Sequence, residues 1–180
     1  MKYFTINLNY SGRKIPRLLH LEDKIKYQTI FEKKAFVQDK PIVVEVKSDI
    51  ELCPNIMTSP FFMVSKQVKG LIDKFEPNME WNKVIIAGYQ VNVDDPEYYV
   101  PCLDCIDVKT NKNFPITAKM LAEQNYMQKK LILDRKDIGK KAIFIMRNKS
   151  EKQVVMRMDM VEMFMRRDWL FEGIQEVEIE

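Results

Sequence analysis

Thr58-Ser-Pro-Phe-Phe-Met-Val-Ser-Lys-Gln-Val-Lys-Gly-Leu-Ile-Asp-Lys-Phe-Glu-Pro77 joins a short apolar run to an amphipathic pattern. Phe61 to Val64 follows a proline and has the length of a brief buried strand. Ser65 suits a helix cap, because its hydroxyl can accept from first-turn N–H groups that lack a helical partner. Val68, Leu71, Ile72 and Phe75 recur at i, i+3, i+4 and i+7, which is one apolar helix face. Pro77 has no amide donor and biases Glu76 away from helical geometry, so the spacing predicts a helix over about 65–75. Strand, cap and helix in direct succession point to an α+β domain. Nothing in the stretch is a catalytic signature.

Working outward, Tyr3 to Leu8 alternates Tyr, Thr and Asn with Phe, Ile and Leu, as a half-buried strand does. Arg17 to Lys34 has Leu18, Leu21 and Ile25 at helical spacing and reads as helix. Ile42 to Val46 is β-branched and reads as a strand. Val84-Ile-Ile-Ala87 is an apolar run that predicts a strand buried on both faces. Val93-Asp-Asp-Pro96 is a turn signal, and Tyr98 to Leu103 is a strand with Pro101 at an edge or bulge. Ile116 to Gln124 suggests a short helix. Leu131 to Leu133, Ala142 to Met146 and Val154 to Met158 read as strands. Asp159 and Glu162 have capping-box spacing, ahead of a helix over about 159–167 that buries Val161, Phe164 and Met165. Arg166 and Arg167 suit the negative end of that helix dipole. Ile174 to Ile179 alternates as a terminal strand. The whole predicts a single domain over residues 1–180, a mainly antiparallel sheet with a few helices packed against it.

Composition narrows the function classes. At 180 residues, 46% hydrophobic and 31% charged, the chain has the make-up of an ordinary globular protein. The net charge of +3 is unevenly spread. Residues 1–40 carry nine Lys and Arg against four Asp and Glu, residues 41–109 six against eleven, and residues 110–180 fourteen against eleven. That balance argues against non-specific nucleic-acid binding, which needs a concentrated positive surface. No apolar run reaches the roughly 18–20 residues of a membrane span. Met1-Lys-Tyr-Phe-Thr-Ile6 lacks the apolar core of a signal peptide. Three cysteines make an odd set, expected as reduced thiols in a cytoplasm.

The candidate chemistry is sparse. Cys102-Leu-Asp-Cys105 is a C-x-x-C, but it falls in strand-like sequence and not at the helix opening that lowers a thiol pKa. A zinc site needs more ligands, and only Cys53 and His20 remain to supply them. His20 is the single histidine and has no nucleophile-elbow serine to serve. The five glycines form neither a dinucleotide nor a phosphate loop. The expectation is no catalytic residue, no metal and no cofactor; the alternative is a small metal- or thiol-dependent enzyme using His20 or the cysteines. Lys129, Lys130, Arg135, Lys136, Lys140 and Lys141 are diluted by Asp134 and Asp137, and read as a solvated hairpin. Asp94, Asp95, Glu97, Asp104 and Asp107 match no calcium-loop spacing; they read as a solvated loop or as a recognition face for a basic partner.

Ser59-Pro-Phe-Phe-Met-Val-Ser-Lys-Gln-Val-Lys69 resembles a bacterial family assigned as immunity proteins of polymorphic toxin systems. The pattern continues through Phe75-Glu-Pro77, Tyr98-Tyr-Val-Pro101, Ile132-Leu-Asp134 with Phe144, and Val155-Met-Arg-Met-Asp-Met-Val-Glu-Met-Phe-Met-Arg-Arg167. Together these motifs span roughly residues 55–180, and their order along the chain carries the resemblance. The chain departs from the pattern after Arg167, where Asp168-Trp-Leu-Phe-Glu172 stands before Gly173 in place of a glycine-containing turn. The resemblance implies a cytoplasmic protein that neutralises a cognate toxin domain by non-covalent occlusion. It carries over no toxin-binding residues. Aromatic anchors beside charge are the usual makings of such a surface, which singles out Asp94, Asp95, Glu97, Tyr98 and Tyr99 as the candidate partner-binding set. Inward packing of Tyr98 or Tyr99 is the competing reading from alternation.

Overall fold

Tyr3–Ile6 (β1) lies inside a sheet, and both of its faces are covered. The computed structural model describes residues 1–6, 18–21, 41–46, 55–58, 61–87, 97–108, 132–148, 151–167, 169 and 173–180. The remaining strands are β2 (Leu18–Leu21), β3 (Ile42–Val46), β4 (Ile56–Met57), β5 (Met63–Ser65), β6 (Trp81–Ala87), β7 (Tyr98–Pro101), β8 (Cys105–Asp107), β9 (Ile132–Leu133), β10 (Ile143–Asn148), β11 (Glu151–Arg157) and β12 (Ile174–Ile179). The helices are α1 (Lys66–Phe75), α2 (Arg135–Ile138) and α3 (Met158–Met165).

Two six-stranded sheets form, ordered β8-β10-β11-β1-β12-β9 and β2-β3-β6-β7-β5-β4. Among the described residues seven of ten strand pairings are antiparallel, so the fold is α+β and mainly antiparallel, as the sequence suggests. It has two sheets where the strand pattern alone suggests one. A shared core binds them: Ile6, Ile143, Ile145 and Met156 of the first sheet meet Ile56 and Val64 of the second. Val68, Leu71 and Ile72 of α1 and Met160, Val161 and Phe164 of α3 fill the same cluster. Tyr3, Phe144, Val155 and Val177 pack on the far face of the first sheet, with Ile138 of α2. This explains β1: it is buried on both sides and not half-buried as alternation predicts.

In the central stretch the capped helix forms as read, whereas the strand is Met63–Ser65 and not Phe61 to Val64, and residues 59–60 lie outside the described residues. Ser65 stands at φ −65° and ψ 165°, and its Oγ accepts from the Val68 N–H at 3.5 Å. The same hydroxyl donates to Asn55 Oδ1 at 2.8 Å, which ties the helix start to β4. At the other end the Glu76 N–H bonds the Ile72 carbonyl at 2.9 Å, and Pro77 follows. Burial of Val68, Leu71 and Ile72 is worth about 1.5–3 kcal/mol each, so packing and not helix propensity holds α1 in place.

Elsewhere the structure corrects the reading. Leu18–Leu21 is a strand on β3, not the start of a helix; Leu18 pairs with Val46 and Leu21 with Val44, across an irregularity. The rest of Arg17 to Lys34, and the helix expected over Ile116 to Gln124, lie outside the described residues. In β6 Asn82 and Val84 are buried while Ile85 is 44% exposed, so that strand buries one face and not two. The Asp159 capping box does not form. Arg157 is the N-cap, with no side-chain cap bond, and the Asp159 carboxylate is engaged by the Arg157 guanidinium at 2.7 and 2.9 Å. Met160, Val161 and Phe164 form the buried face of α3, and Met165 is 54% exposed. Arg166 and Arg167 follow the last turn, where Arg167 Nη1 donates to the Met163 carbonyl at 2.8 Å. No described helix is long and apolar enough to cross a membrane.

Candidate partner-binding face

The antiparallel pair β6–β7 sets the phase of a surface. Asn82 faces Val100 and Val84 faces Tyr98, and all four are buried. Lys83 faces Tyr99 on the opposite side of the sheet, and Trp81 lies diagonally across from Tyr99. The indole and phenol rings meet edge-on, with centroids 6.5 Å apart and planes at 84°.

Helix α1 runs beside these rings and contributes Lys69 and Asp73, one turn apart. Lys69 Nζ sits 5.1 Å from the Trp81 ring centroid and 5.6 Å from that of Tyr99, so two electron-rich faces attract one ammonium. Asp73 accepts from Lys69 Nζ at 2.7 Å and from Trp81 Nε1 at 2.8 Å. Glu97, just before β7, closes the other side. It pairs with Lys83 at 2.7 Å and Lys66 at 3.3 Å, and it accepts from the Tyr99 hydroxyl at 3.2 Å. Its carbonyl also takes the Lys66 N–H at 3.1 Å, which joins the strand to the start of the helix.

These partners decide the charge states. Hydrogen bonds from Lys83, Lys66 and Tyr99, in that order, hold the Glu97 carboxyl down to about 2. The Lys83 ammonium is raised in return by Glu97. Three lysines and two carboxylates share the surface with two aromatic rings, so the face is mixed in sign and not an acidic patch.

The expected set of Asp94, Asp95, Glu97, Tyr98 and Tyr99 therefore divides. Asp94 and Asp95 lie outside the described residues. Glu97 and Tyr99 sit together on the face. Tyr98 is 1% exposed and packs with Val84 and Val100, so its ring is part of the core and offers no anchor to a partner. Sequence reading missed Lys69, Asp73, Trp81 and Lys83. Their signal was available in part: Lys69 and Asp73 are four apart on the polar side of α1, and Trp81 and Lys83 share one side of an alternating strand.

Of the thiol candidates, Cys102 and Cys105 are not brought into this surface. Cys102 is buried and its Sγ accepts from Asn82 Nδ2 at 3.4 Å, while Cys105 is half-buried at the start of β8. His20 lies in β2 with its side chain outside the description, as is Cys53. Among the described residues no three His, Cys, Asp or Glu side chains gather as a metal site. In comparison with known proteins, no family model matches the chain and no curated protein matches it in sequence.

Proposed function

We propose that this chain is an immunity protein, which docks on a cognate toxin domain in the cytoplasm and occludes it without chemistry of its own. The observation that carries the reading is the Lys69–Trp81–Tyr99 stack with its two flanking carboxylates. Aromatic residues within a charged rim are the side chains on which protein interfaces concentrate their binding energy. The side chains are pre-ordered by one another, so less rotamer freedom is lost when a partner covers them. The ordered motifs from Ser59 to Arg167 point to the same class.

The test starts with co-purification of the chain with the product of the neighbouring gene, followed by a growth assay with the toxin expressed. Lys69→Glu with Tyr99→Ala is expected to abolish protection while the circular dichroism spectrum is kept. Full protection by that variant would move the interface elsewhere. One tightly bound zinc per purified chain would favour the metal-dependent enzyme instead.

A further inference from the structure

We propose that the cleft that α1 forms with Arg167 and Trp169 binds glutamate side chains of an acidic peptide segment on a partner protein. Gln67, Gly70, Leu71 and Lys74 line one wall at i, i+3, i+4 and i+7 of α1, and Arg167 and Trp169 line the other. The space between them is about 400 Å³. Trp169 is fixed edge-on against Phe164 at 5.2 Å, and the Arg167 guanidinium lies 5.8 Å from the Trp169 ring centroid. Arg167 Nη1 is held on the Met163 carbonyl, which positions the cation at the rim.

One observation points to an anionic occupant, and a second to a site kept open. On the other flank of α1, Lys66 and Lys69 of the helix and Lys83 of β6 each pair with a carboxylate. Among the described residues no carboxylate pairs with Lys74 or Arg167, so the cleft presents two cations to an arriving anion. Independently, Gly70 stands in mid-helix, where glycine is unfavourable. A Cβ there would meet nothing within 4 Å, and Gly70 is not among the described glycines with positive φ. Neither packing nor backbone conformation requires glycine; the missing side chain keeps the cleft open. A glutamate fits this chemistry, with its methylenes on the Trp169 ring and its carboxylate between Lys74, Arg167 and the Gln67 amide. With +3 net over the chain there is no broad basic field of the kind a nucleic-acid backbone selects.

The cleft stands on its own chemistry, so it can fail while toxin protection holds, and the reverse. The experiment is a ¹H–¹⁵N titration of the full chain with acetyl-Gly-Glu-Glu-Gly-amide at low salt, with acetyl-Gly-Gln-Gln-Gly-amide and inorganic phosphate in parallel. Two tryptophans give two indole signals, one for each surface. The Glu peptide is expected to move the Trp169 indole saturably and leave the Trp81 indole in place. Lys74→Glu with Arg167→Glu should weaken binding at least tenfold, Gly70→Met should block it, and Gly70→Ala should retain it. Lys74→Gln with Arg167→Gln serves if the reversal unfolds the chain. An unmoved Trp169 indole, an equal response to the Gln peptide or to phosphate, or undiminished binding by the charge variants overturns the proposal.

Discussion

Trp81→Phe isolates one bond in the candidate face. The ring survives, and what is lost is the indole N–H that reaches Asp73 Oδ1 at 2.8 Å. A hydrogen bond to a charged acceptor contributes roughly 1.5–3 kcal/mol. The Asp73 side chain is 35% exposed, so water replaces part of the loss, and Lys69 keeps its own contact at 2.7 Å. The net cost is then about 1 kcal/mol, with a few tenths more because phenylalanine attracts the Lys69 ammonium less than indole does. For a chain of this length about 1 kcal/mol lowers the melting temperature by roughly 2–4 °C. Urea unfolding followed by circular dichroism reads the difference directly. A double-mutant cycle pairing Trp81→Ala with Lys69→Met should add a coupling of about 0.5–1 kcal/mol. A Trp81→Phe variant as stable as the parent, together with zero coupling in the cycle, would refute the idea that these side chains order one another.

Acid should act on the same face in a defined window. The folded Glu97 carboxyl is held at about 2 against an ordinary 4.5, so its stabilising contribution is complete above about 4.5 and is lost as pH falls through about 2. Unfolding midpoints of Glu97→Gln and the parent should therefore differ at pH 6 and converge near pH 2; parallel curves would contradict it. Gly139 closes α2 at φ 58° and ψ −121°, so Gly139→Ala should destabilise by about 1–3 kcal/mol in the same urea assay, although nothing lies within 4 Å of the added Cβ. Phe164→Ala should cost about 3–5 kcal/mol, because the ring is fully buried in the core shared by the two sheets. Ser65→Ala should cost about 1 kcal/mol through the lost cap on Val68, and no measurable change would remove that bond from the account of α1.

What could be read from the chain follows the range of the forces involved. Helix α1 was legible because its determinants are local: Ser65, the apolar spacing from Val68 to Phe75, and Pro77. The start of α3 was legible to within a residue but its cap was not, since Arg157 captures Asp159 and the Met158 N–H is fixed by the Lys2 carbonyl at 3.0 Å, a contact from the far end of the chain. Leu18 and Leu21 look helical at a spacing of three, and only pairing with Val46 and Val44 makes them a strand. Two sheets replace one for the same reason, because β1 finds its neighbours in β11 and β12, 150 or more residues away in sequence. In the site, Glu97 and Tyr99 were found beside a turn signal. Alternation says that Tyr98 and Tyr99 point oppositely, but the register with Lys83 and Val84 decides which one is buried. Lys69 and Trp81 come together only when α1 settles beside β6, which no local pattern encodes.

Helix α1 then explains why two candidate surfaces exist on one small fold. Its ten residues wind through nearly three turns, and Val68, Leu71 and Ile72 turn one side into the core. Lys66, Lys69 and Asp73 fall on one flank, where Lys69 and Asp73 meet the aromatic pair from β6 and β7 and Lys66 meets Glu97. Gln67, Gly70 and Lys74 fall on the other and border the Arg167–Trp169 cleft. A helix with its side chains is about 10–12 Å wide, whereas a standard interface covers about 800 Å² of each partner. One partner seated along α1 can therefore reach both flanks, setting its own charges against the Lys69–Trp81–Tyr99 stack and an acidic segment in the cleft. The ridge between them is short, and it is held by the Ser65 cap and by Glu76, whose carboxylate accepts from the Ala142 N–H just before β10. Complementary chemistry on each side of one ridge favours a partner of one shape, as the proposed inhibitor of a single toxin would need.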